Sequence, residues 1–137
     1  MEKFKFIEDL TSDVMIEAYG ITLKQVFENA AFGMFSVICQ IDKIKPEKEV
    51  EIEVRADSVE ELMIAWLQEL IAEVDINYMF FSKFDVIEIS DTHLKAKVFG
   101  EEADPKKGGT LVKAVTYYKY KFEKTEKGYK VRVSFHI

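Results

Sequence analysis

The side chains able to carry chemistry are few and far apart. The 137 residues include two histidines and one cysteine, with no Gly-x-Ser-x-Gly, no phosphate-cradling glycine-rich loop and no His-Glu-x-x-His. Nucleophilic catalysis needs a base within hydrogen-bond reach of the nucleophile. Any such set would have to be assembled around His93, which falls in the turn "SDTH", or His136, next to the last residue. Cys39 has no second thiol, so a disulfide or a thiolate metal cluster within one chain is excluded. Its position inside a helical pattern reads as a small buried apolar group. Lys106 and Lys107 of "KKGG" read as a solvated loop and not as a phosphate-binding one. This inventory points away from an enzyme.

Asp13 is the acid whose place raises a question, because it opens an alternating run, "VMIEAYG", and strands disfavour Asp. In one reading it is a strand-start acid bonded to backbone. In the other it is half of a cation site. The C-terminal run "VRVSFHI" alternates too, with Val131, Val133, Phe135 and Ile137 on one face and Arg132, Ser134 and His136 on the other. If Ile137 packs into the core, its α-carboxylate is held in place. Beside Asp13 it would then form an oxygen-rich corner suited to a hard cation.

The elements that must position these residues follow from periodicity. Phe4 to Ile7 reads as a short edge strand and Asp13 to Tyr19 as a fuller one ended by Gly20. From Thr22 the period changes: Leu23, Val26, Phe27, Ala30, Ala31, Met34, Phe35 and Ile38 form a helical stripe. Thr22 with Gln25 makes a capping box, and the helix should end near Gln40. Val50 to Arg55 alternates again, then Ser58 and Glu61 cap a second helix with the stripe Val59, Leu62, Met63, Trp66, Leu67, Leu70, Ile71 and Val74. Trp66, Phe35 and Met34 belong to the core. Phe80 to Ile89 and Leu94 to Phe99 form a hairpin around "SDTH". After the loop "GEEADPKKGG", Val112 to Glu123 and Tyr129 to Ile137 form another, with Gly128 supplying a positive φ. The result is one domain, 1–137, of the α+β class. Its expected architecture is a two-layer sandwich with two amphipathic helices on one face of a mostly antiparallel sheet, in the order β-β-α-β-α-β-β-β-β.

Charge and composition bound the partners. With 25 acidic against 19 basic residues the formal net charge is -6, whereas a nucleic-acid module carries a basic excess on some face; no direct, specific nucleic-acid contact is expected. No apolar run approaches the ~20 residues that cross a bilayer, and "MEKFKFIEDL" is too charged for a signal peptide. The expected location is the cytoplasm.

Four blocks in order resemble the archease family: "TSDVMIEAYG", similar to its His-Thr-Ala-Asp-Ile strand; "TLKQVFENAAFGMF"; "LMIAWLQEL", similar to Leu-x-x-Trp-Leu-Asn-Glu-Leu; and "DPKKGGTLVKAVTYYKY", similar to its Asp-Pro loop and Val-Lys-Ala-Val-Thr-Tyr strand. The ending is similar to the family's Phe-Asp-Ile. The resemblance implies a small α+β accessory protein, not itself an enzyme, that promotes guanylylation and turnover of an RtcB-type GTP-dependent RNA ligase in tRNA splicing or RNA repair. It further implies a metal ion, calcium in some members, held by Asp13, His136 and the carboxylate of Ile137, with Lys113 required for activation. Leu10 stands where the family has His, Gln68 where it has Asn, Tyr118 where a His often follows, and His136 where it has Asp; the Asp-Pro loop is also short. Imidazole in place of an oxygen ligand weakens a calcium site and favours transition metals. Two other classes stand beside this reading: a general interaction or holdase-like chaperone module using exposed edges, and a small-molecule binder with a pocket between helices and sheet. Lys113 has a plainer alternative as an edge lysine that discourages aggregation.

Overall fold

Thr22 and Ser58 start the two helices. In the computed structural model, which describes residues 2–9 and 13–137, the Thr22 hydroxyl accepts from the Gln25 amide at 3.2 Å and the Ser58 hydroxyl from the Glu61 amide at 3.2 Å. The Gln25 side chain turns back one residue further than a capping box requires, accepting from the Ile21 amide at 2.8 Å. Helix α1 runs Leu23–Ile38 and α2 Val59–Asn77. Around them lie β1 (Phe4–Ile7), β2 (Val14–Gly20), β3 (Lys48–Arg55), β4 (Met79–Ile89), β5 (His93–Glu102), β6 (Ala114–Thr125) and β7 (Gly128–His136). The α+β class and the expected order of elements are those observed. Leu10, one of the departures from the family pattern, lies outside the described residues.

The strands differ from expectation in pairing. They form two antiparallel sheets instead of one: β1-β2-β7-β6 and β3-β5-β4. Alternation identifies a strand but not its neighbour. Here each sheet closes its ladder within its own set, and the helices join the two. Helix α1 packs on β2 and β7 of one sheet and β4 of the other, and α2 on β6 and β3. The core between them is filled by the helical stripes, with Phe27, Met34, Phe35, Trp66, Leu67 and Phe81 fully buried. The Trp66 indole donates to the Phe27 carbonyl at 2.9 Å, so the largest core side chain satisfies its one polar atom across the helix pair.

The "DPKKGG" segment is a cap for α1. Asp104 and Pro105 start a 3₁₀ turn, the Asp104 carboxylate accepting from the Lys106 amide at 2.9 Å. The chain then crosses the end of α1, where the Gly109 amide donates to Ile38 and the Thr110 amide to Val37, both at 2.8 Å. These bonds satisfy carbonyls that a helix end leaves open. A Cβ on Gly109 would lie 2.4 Å from the Val37 carbonyl oxygen, so only glycine passes. Lys106 is exposed as expected; Lys107 is not merely solvated but ion-paired with Glu101 at 2.6 Å.

Candidate functional site at the β2, β7 and β6 ends

Antiparallel register brings three distant parts of the chain to one corner. β2 pairs β7 with Val14 opposite Phe135, so the next pair outward is Asp13 and His136. The His136 Nδ1 lies 3.3 Å from the Asp13 Oδ1. On the other side of β7, Ala114 pairs His136 and the Lys113 amide donates to the His136 carbonyl at 2.7 Å, which sets Lys113 beside Ile137. Lys113 itself is exposed and precedes β6. Gln68 of α2 accepts from the Val115 amide at 3.1 Å, fixing the start of β6 against the helix. Ile137 is 37% exposed: backbone pairing of β7, and not the expected packing of Ile137 into the core, holds the chain end at the corner.

The outer face beside this corner is covered. Ser134, placed by alternation on the face opposite Val131, Val133 and Phe135, is fully buried, because β6 departs from its ladder there. Between the pairs Thr116–Ser134 and Lys121–Arg132, residues 117–120 of β6 stand opposite Val133 alone. Lys119 takes a positive φ of 51°, which costs a non-glycine residue about 1 kcal/mol. The Ser134 hydroxyl donates to the Tyr118 carbonyl at 3.1 Å and the Arg132 Nε to the Lys119 carbonyl at 2.8 Å. Asp9, beyond the end of β1 at the opposite edge of the sheet, accepts from the Tyr118 hydroxyl at 3.1 Å and the Lys119 ammonium at 2.9 Å. That carboxylate raises the Lys119 pKa, its largest cause being the bond to Asp9. The sequence reading missed Asp9, Ser134 and the bulge. The available signal was "TYYKY", where adjacent tyrosines break the alternation of a two-faced strand.

The remaining candidates lie apart. His93 opens β5 and does not sit in a turn; its Nε2 is 2.5 Å from Glu53 Oε2, and this bond is the largest cause holding the Glu53 carboxyl below its ordinary range. Both belong to the second sheet. Cys39 is buried at the end of α1, and burial pushes its thiol pKa up to about 12, so it stays protonated and unreactive at neutral pH.

The corner offers a cation one carboxylate, one imidazole and the Ile137 α-carboxylate. Among the described residues no three His, Cys, Asp or Glu side chains come together. Calcium takes six to eight oxygens, and this set does not fit it. The 3.3 Å between the Asp13 and His136 donor atoms equals the ~3.3 Å between neighbouring ligands of a tetrahedral ion with bonds of about 2.0 to 2.1 Å; a transition-metal ion fits the pair. No described helix is long and apolar enough to cross a membrane.

Residues 4–137 match the model of the archease protein family (MTH1598/TM1083). The chain is 39% identical over 126 residues to the protein archease of Sulfurisphaera tokodaii, covering 90% of each chain, and 37% identical over 138 residues to that of Methanosarcina mazei, covering 96% of this chain and 94% of that one. The solution structure of Methanobacterium thermoautotrophicum protein 1598 superposes with a TM-score of 0.81 at 32% identity over the whole of both chains. A crystal structure from Thermotoga maritima, described as an archease and possible chaperone, gives 0.67 at 20% identity over 96% of this chain and 95% of that one, a likeness of fold.

Proposed function

This chain belongs to the archease family, and on that premise we propose that it is a noncatalytic cytoplasmic accessory protein of a GTP-dependent RNA ligase of the RtcB type. It promotes guanylylation and turnover of the ligase in tRNA splicing or RNA repair. The observation that carries this reading is the meeting of Asp13, Lys113, His136 and Ile137, at the ends of three strands, in one corner. Asp13 and Lys113 present opposite charges to a partner, which gives orientation more than affinity. The cation suited to the corner is a transition-metal ion held by Asp13, His136 and Ile137, with calcium disfavoured by the imidazole. The partner is a protein; neither RNA nor membrane is contacted directly.

The test is turnover of the ligase from the same organism at substoichiometric accessory protein, with wild type, Asp13→Ala and Lys113→Ala compared. Wild type accelerates turnover, and each variant loses at least about tenfold, equivalent to about 1.4 kcal/mol, while its circular dichroism and melting stay unchanged. A wild type without effect on its own ligase overturns the reading. Suppression of aggregation of unrelated proteins would then favour the general chaperone.

A further inference from the structure

The bulge of β6 is anchored on every side, yet what it displays has no use inside the molecule. Ser134, Arg132 and Asp9 hold Tyr118 and Lys119, and the Tyr120 hydroxyl donates to the Glu60 carbonyl of α2 at 2.7 Å. The bonds arrive from β7, from the far edge of the sheet and from a helix. Of the four side chains, that of Tyr117 alone makes no hydrogen bond among the described residues. Its ring stands edge-on to that of Tyr120 at 6.0 Å, and it is 65% exposed. A backbone held in a costly conformation by several surrounding groups is characteristic of a working surface.

We propose that residues 117–120 form a preorganised docking element that inserts the Tyr117 ring into a pocket on the ligase, next to the Asp13–His136 corner. This rests on the ligase reading and adds the contact through which the partner is held. Tyrosine brings a large, stiff ring with few rotors to lose and is enriched where truncation costs most at interfaces. Fixing its loop beforehand removes the ordering cost of binding. Exposed Ile137 and Leu111 at the same end of the sheet extend the apolar surface. A protein, not RNA, is the occupant because the cation within the element, Lys119, is already paired with Asp9 at 2.9 Å, the Arg132 Nε is bonded to the Lys119 carbonyl, and Lys121 and Lys130 of the same hairpin are paired with Glu123 at 2.8 and 3.4 Å. A single-strand platform needs such cations available to phosphate.

The experiment is titration of the same ligase with wild type, Tyr117→Ala, Tyr117→Gln and Tyr117→Phe. Ile87→Ala, an exposed residue of the second sheet, is the control, and each variant is melted to verify its fold. Tyr117→Ala and Tyr117→Gln raise Kd by about thirtyfold, the scale of an interface hot spot, while Tyr117→Phe and Ile87→Ala bind as wild type does. Wild-type affinity in Tyr117→Ala, with wild type binding normally, overturns the docking element and leaves the ligase reading standing. A wild type that does not bind the ligase overturns both.

Discussion

His136 decides what the corner can hold. Its Nδ1 stands 3.3 Å from the Asp13 carboxylate, a distance served equally by a direct hydrogen bond and by a shared ion. Hard calcium gains from each added carboxylate oxygen, whereas imidazole suits zinc, copper or nickel. His136→Asp should therefore raise calcium affinity by about tenfold and lower nickel affinity, both read by calorimetry. Equal calcium binding in wild type and variant would remove the side chain at position 136 from the ion's ligands. Asp13 and His136 were brought together by the resemblance to the archease family, because two alternating runs give the faces of each strand but not which strands pair. Asp9 was not legible. Its partners Tyr118 and Lys119 lie more than a hundred residues away, and no local pattern links them.

At the scale of elements, caps and stripes were readable because they depend on neighbours three and four residues away, and Thr22, Ser58 and both helical faces behave as their spacing demands. The β6 bulge was read through, since "TYYKYKF" resumes its alternation directly after the adjacent tyrosines that mark the break. The hairpin that follows depends on one residue. Gly128 has a φ of 137°, and a Cβ there would lie 2.3 Å from the Gly20 carbonyl oxygen, so it meets both a backbone restriction and a neighbouring strand. Gly128→Ala should destabilise by about 3 kcal/mol and lower the melting temperature by about 10 °C. Thermal unfolding followed at 222 nm measures it, and a shift of under about 2 °C would show that the turn can be rebuilt.

For the whole molecule, the division into two sheets makes the connections between them decisive, and one is electrostatic. The loop that caps α1 is tied to β5 by Lys107 and Glu101 at 2.6 Å. Glu101 is held below its ordinary pKa chiefly by Lys107, and Lys107 above its own chiefly by Glu101. The depressed acid contributes stability above its unfolded pKa and loses it as pH falls through the folded value; the raised base contributes below its unfolded pKa and loses it as pH rises through the folded one. The pair is therefore fully effective across neutral pH and fades at both extremes. Glu101→Gln should melt slightly below wild type at about pH 7, with the gap closing at about pH 2; a gap independent of pH would assign the loss to packing. The net charge of -6 is uninformative on this, because it averages over pairs that only the fold brings together.

The last strand lies inside its sheet, between β2 and β6, and this orders events during synthesis. β2 can be complete and α1 wound while the strand that must occupy β2's open edge, more than a hundred residues further along the chain, is still unmade. Throughout that interval the first hairpin presents unpaired amides and carbonyls to any extended chain that comes near. The first sheet therefore closes only after Gly128–His136 has emerged, and a ribosome stalled before Gly128 leaves the edge of β2 open to other strands.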